Sequence, residues 1–239
     1  MTIQQKDYDP ALMQGAANSV VLPQTITDAT SSALAVGPNG STNPVFQIDG
    51  SVSSAAVGVK LTGRATGTRA TLAAIGSGTD EGLNIAPKGA GTILINGQVQ
   101  PIVSGSGATV TLTKDQSGSI ALFDRAAGIV FTLPANTPGM VFDFFVTVTI
   151  TSGAAKVITA AGTELLVGTI INTDTDSSDA IASWKSLVAA SNIAVSMNGT
   201  TTGGIKGDWI RFTCLNTTTW NVQGFTTGTS TVATPFATS

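Results

Sequence analysis

The chain has 239 residues, enough for one or two domains with a buried core. Only 10% of them are charged, against about a quarter in ordinary soluble domains, and a net charge of −3 leaves no basic field for a phosphate backbone, so nucleic acid is not an expected partner. There is no histidine, which removes Ser-His-Asp and Cys-His nucleophiles, HExxH zinc sites and histidine acid-base chemistry.

Met1 to about Thr30 mixes polar residues with scattered apolar ones and follows neither the helix nor the strand period. So little periodic apolar surface does not offset its own ordering entropy, so this stretch reads as an extended arm, ordered only by lying across something else. Lys6, Asp7 and Asp9 stand where a signal peptide would carry its apolar run, so the chain is expected to be made in a cytoplasm and not secreted. Tyr8, in "KDYDPALM", has no local core to join and reads as an anchor for a partner's pocket. Lys6, Asp7, Tyr8, Asp9 and Leu12 are therefore the candidate partner-binding residues.

From about Ser31 to Gln100 come brief β-like runs: "ALAV", "PVFQID", "VGVKLTG", "TLAAIG", "GLNIAP" and "TILING". Gly-rich separators at intervals of about 8 to 12 residues mark an all-β architecture. Their apolar residues are mostly Ala, Val and Ile, too small for one copy to fill a core about 10 Å thick. The physical remedy is a core shared around a threefold axis, in which neighbouring chains cover each strand face and close each edge.

From about Pro101 to Ser239 the runs lengthen: "ATVTLT", "SIALFD", "GIVFTLP", "MVFDFFVTVTI", "KVITA", "TELLVGTIIN", "NIAVSMNG", "DWIRFTCLN" and "TWNVQGF". Strands without intervening helices predict a β-sandwich of jelly-roll type. "SSDAIASWKSLVAA" is the one helical candidate, with Asp179 as cap and Ile181, Trp184 and Val188 on one face. Phe123, Phe131, Phe142, Phe144 and Phe145 are expected in the core, and Trp184, Trp209 and Trp220 in core or interface packing, although exposed Trp faces also serve sugar-binding surfaces. Cys214 alternates with apolar neighbours and is expected to be a buried structural thiol. "VFDFFVTVTI" is far short of the roughly 20 apolar residues that cross a bilayer, so no membrane partner is expected.

The remaining motifs fail as chemistry. "APKGAGT" places its lysine before the glycines, the reverse of a phosphate-binding loop, and "GSGTDEG" lacks the third glycine of a dinucleotide fingerprint. Asp124, Asp143 and Asp208 lie singly near strand ends or faces, and the only glutamates are Glu81 and Glu164, so no glycosidase pair is visible. "NTDTDSSD" gathers Asp174, Asp176 and Asp179, but counting from Asn172 puts Ser177 and Ser183 where a Ca²⁺ loop needs Gly and Glu. It reads as a solvated turn and helix start, the alternative being a cation bound at a trimer interface. No cofactor, no metal site and no enzymatic activity are expected.

"AVGPNGSTNPVFQIDG", "VGVKLTGRATG" and "LNIAPKGAGTILING" resemble modules of structural proteins of tailed-bacteriophage virions. The stretch from "TLTKDQSGSIALFDRAAGIVFTLPA" through "NTDTDSSDA", "AVSMNGTTTGG" and "WNVQGF" to "ATPFATS" resembles the C-terminal domain of phage head decoration, head fibre and tail fibre proteins. The resemblance implies a homotrimer with an anchoring N-terminus and an outward β-rich domain, and carries over no catalytic residue. It points first to a capsid decoration (cement) or head fibre protein docked on the major capsid protein at the virion surface. The alternative is a tail fibre or receptor-binding adhesin contacting a host glycan or protein.

Overall fold

A computed structural model describes residues 34–36, 46–49, 51–52, 56–79, 81–105, 107–175 and 181–239. The fold is all-β, and the chain divides between Leu94 and Ile95 into two units.

The first unit contains two antiparallel pairs. β1 (Leu34–Val36) lies against β2 (Phe46–Ile48), and β3 (Val57–Thr62) forms a hairpin with β4 (Thr71–Gly76). The β3/β4 connection contains a turn in which the Thr68 N–H donates to the Ala65 carbonyl, with Gly67 at φ 82° supplying the left-handed residue. The hairpin register sets Val59 opposite Ala74 and Leu61 opposite Leu72, and period two brings Val57 onto the same face. That face is open: Val57, Val59, Leu61 and Leu72 are 50%, 58%, 76% and 51% exposed. None of the described residues from 46 to 94 is buried. "GLNIAP" and "TILING", expected as strands, have no ladder partner among the described residues.

The second unit is a two-sheet β-sandwich. One sheet has five strands: β6 (Thr109–Thr111), β8 (Val130–Thr132), β10 (Ala155–Ile158), β13 (Ala194–Met197) and β16 (Phe236–Ala237), in the order β16-β13-β10-β8-β6. The other has seven: β5 (Ile102–Ser104), β7 (Ile120–Phe123), β9 (Val141–Val146), β11 (Leu165–Asp174), β12 (Ile181–Ser186), β14 (Trp209–Asn216) and β15 (Thr219–Gly228), in the order β12-β11-β15-β14-β9-β7-β5. Both sheets are mixed; β11 runs parallel to β15, and β7 parallel to β9.

Alternation builds the core. Phe142 and Phe144 of β9, Ile210 and Phe212 of β14, and Trp220 and Val222 of β15 all turn inward and are buried. Phe131 from the five-stranded sheet meets Phe123 at 5.1 Å and Phe144 at 5.4 Å between ring centroids, both edge-on, so its ring locks the two sheets together. Cys214 is buried, as its alternation predicts.

Two expectations are corrected. The helical candidate is strand β12 followed by a 3-10 turn at Val188–Ala190. Its backbone hydrogen bonds go to β11, with Trp184 opposite Ile170, and this puts Trp184 against the core while Ile181 and Lys185 point outward. Phe145 is not in the core. It neighbours the inward Phe144 along one strand, so the pleat sends it to the outer face.

Gly168 sits in β11 at φ 131°, where any Cβ would collide with the Val222 carbonyl. A side chain there would break the close approach of β11 and β15 beneath the site described next.

Candidate functional site

The outer face of the seven-stranded sheet carries an ordered row of side chains. Cross-strand partners place Ile171, Phe225, Trp209, Phe145 and Leu122 side by side over five adjacent strands. One step along the strands a polar row follows, Lys185, Thr169, Gln223, Arg211 and Asp143. Period two in each strand and the ladder register together produce both rows.

The centre of this face is braced. The Arg211 Nε and a terminal guanidinium nitrogen donate to the two Asp143 carboxylate oxygens at 2.7 Å each, and the Trp209 Nε1–H donates to Asp143 Oδ1 at 3.1 Å. This fork-to-fork hydrogen bond holds the Arg211 pKa above its ordinary value. The guanidinium also lies 5.6 Å from the centre of the Trp209 ring, while Phe225 lies 6.2 Å from it on a nearly parallel plane, 17° apart. Trp209 is thus fixed by a hydrogen bond, a cation and a second ring. Beside it opens a shallow dish of about 270 Å³ lined by Thr169, Ile171, Trp209, Gln223, Gly224 and Phe225.

A loop at residues 198–208 closes one end of the sandwich. Asn198 Oδ1 accepts from the backbone N–H groups of Thr200, Thr201 and Thr202, and buried Asp208 accepts from those of Gly204 and Ile205 at 2.7 and 3.1 Å. Burial raises the Asp208 pKa above 3.8, the hydrogen bonds from Ile205, Gly204 and Thr227 only partly opposing it. A raised acid pKa means that the folded chain keeps this proton to higher pH than the unfolded chain. The stability contributed by Asp208 is therefore full below 3.8 and is lost as pH rises through its folded value. Urea unfolding of the native chain and of Asp208→Asn should show the difference moving in favour of the native chain as pH falls from about 7 to 4. A difference independent of pH would refute this.

Lys6, Asp7, Tyr8, Asp9 and Leu12 lie outside the described residues, as do Asp176 and Asp179. Asp174 is buried at the end of β11. Asp124 accepts a hydrogen bond from the Ser104 hydroxyl, and Glu164 accepts from the backbone N–H groups of Asn136 and Ala161, so each serves a local turn or strand. Burial pushes the Cys214 thiol up, with the charge of Glu164 adding to it, which keeps it a thiol. Among the described residues no group of three or more Cys, Asp and Glu is placed to hold a metal ion, and no helix is long and apolar enough to cross a membrane.

No family model, curated protein or solved structure matches this chain. The site therefore stands on its own geometry. Of its residues, only Trp209 was singled out by sequence as a possible ligand face. Arg211, Gln223 and Phe225 were missed, although "WIR" sets Trp209 and Arg211 two apart on one strand face and "VFDFFV" buries an acid in an apolar strand, which calls for a cation across the sheet.

Proposed function

We propose that this chain is a structural protein of a tailed-phage virion surface, a head decoration (cement) or head fibre protein that assembles as a homotrimer on the major capsid protein. The observation that carries the reading is the β3/β4 hairpin, an amphipathic pair whose apolar face has no cover among the described residues. A lone two-stranded hairpin is marginal in water, so this face needs partners, and identical faces around a threefold axis are the cheapest source of matching apolar surface. The phage-like modules at 35–50 and 57–67 lie in the same unit, and the third, 83–97, begins there and ends three residues past its boundary. Docking requires no chemistry. A protein that binds only the assembled shell shifts the equilibrium toward it by mass action, and Lys6 to Leu12 are the residues proposed to reach the capsid. It is made in the bacterial cytoplasm and ends on the capsid exterior.

A second reading, a tail fibre or receptor-binding adhesin, is favoured by the aromatic dish beside Trp209. Immunogold labelling of purified virions, with an antibody against residues 95–239, separates the two. Gold spread over the head is expected. Gold confined to the tail would replace the decoration reading with the adhesin, and bare particles would overturn both.

A further inference from the structure

We propose that the dish between β11, β15 and β14 binds one neutral sugar ring, a hexopyranose or N-acetylhexosamine, stacked on Phe225. Four features of the dish lead there.

The first is shape. At about 270 Å³ the dish is slightly smaller than the pockets of drug-sized ligands, which run from about 300 Å³ upward. It fits a single ring. A second protein surface would instead need about 800 Å² of matching area on each side.

The second is the floor. Phe225 is 59% exposed, an unusual setting for so large a side chain in the middle of a sheet, and Ile171 flanks it. The face of an aromatic ring is electron-rich and attracts the weakly positive axial C–H groups of a pyranose, which water solvates poorly.

The third is the rim. Gln223 and Thr169 are direct cross-strand partners on the dish wall, and neither side chain makes a hydrogen bond among the described residues. An amide and a hydroxyl with unused donors and acceptors are what sugar hydroxyls need. Beside the rim Arg211 and Asp143 neutralise each other at 2.7 Å, and the cation left on this row is Lys185, the cross-strand partner of Thr169.

The fourth is rigidity. Trp209 is held by Asp143, Arg211 and Phe225 before any ligand arrives, so binding orders little that is not already ordered.

The test uses the full-length protein and the methyl glycosides of glucose, galactose and mannose with N-acetylglucosamine and N-acetylgalactosamine, read by saturation-transfer NMR and tryptophan fluorescence. At least one should bind saturably with Kd on the order of 1 mM. Phe225→Ala and Gln223→Ala, both at exposed positions, should each weaken it tenfold or more while leaving the thermal midpoint unchanged. Three results would overturn the proposal. They are no binding by any of the five, equal binding by both variants, or a Trp209 that acrylamide reaches only after the assembly is dissociated, which would make this face a contact between copies. The decoration reading does not depend on this site, and labelling of the head remains its separate test.

Discussion

Replacing Phe144 by alanine should lower the unfolding free energy by about 3–5 kcal/mol, the usual cost of deleting a fully buried aromatic ring. Phe144 is buried and touches rings on three sides: Phe131 at 5.4 Å from the opposite sheet, Phe212 at 5.4 Å from the neighbouring strand, and Phe123 at 6.0 Å. No single neighbour can move into the gap without leaving another ring unsupported, so the cavity stays open and the loss falls toward the upper end of that range. Against a total stability of about 5–15 kcal/mol this is a large share. All three tryptophans belong to the second unit, so urea unfolding followed by their fluorescence reports on it directly. Phe225→Ala, one strand-face away but outward and exposed, should change the same transition by no more than about 0.5 kcal/mol. Equal effects from the two variants would mean that the inward and outward faces have been assigned the wrong way round.

The contrast between these two phenylalanines also marks what the sequence could and could not tell. Every strand expected between 108 and 225 is present, because Val, Ile, Thr and aromatic residues alternate there with enough regularity to fix period two. Phe145 was misplaced by composition overriding that period, since a strand cannot turn both Phe144 and Phe145 to the same side. β12 failed for a different reason. Ile181, Trp184 and Val188 fall at helical spacing, and nothing local reveals that β11, ten residues long, offers a free edge with which "IASWKS" pairs. Tertiary hydrogen bonding outweighed local pattern there. The site was the least legible element of all. Its dish is lined from β11, β14 and β15, and β11 and β15 are joined in parallel although residues 175–218 intervene, a register that no window of sequence contains.

Introducing lysine at both Leu61 and Leu72 should convert the protein from its proposed trimer to a monomer of 24.0 kDa. The two leucines are cross-strand partners at the open apolar face of the hairpin, 76% and 51% exposed, so lysines there disturb no packing among the described residues. Burying each leucine against neighbouring copies is worth about 1.5–3 kcal/mol, and with two per chain a threefold assembly loses on the order of 10 kcal/mol. Paired ammonium groups brought together at a dry threefold contact add a desolvation cost on top, because no carboxylate lies in the hairpin to neutralise them. Light scattering coupled to size exclusion gives the mass, and tryptophan fluorescence shows whether the second unit is untouched. The expected outcome is a threefold fall in mass with an unchanged unfolding transition of the sandwich, because the hairpin and the sandwich belong to different units. A trimer that survives both lysines would put the shared core elsewhere, and a native chain that is already monomeric would remove the reason for the hairpin's open face as argued above.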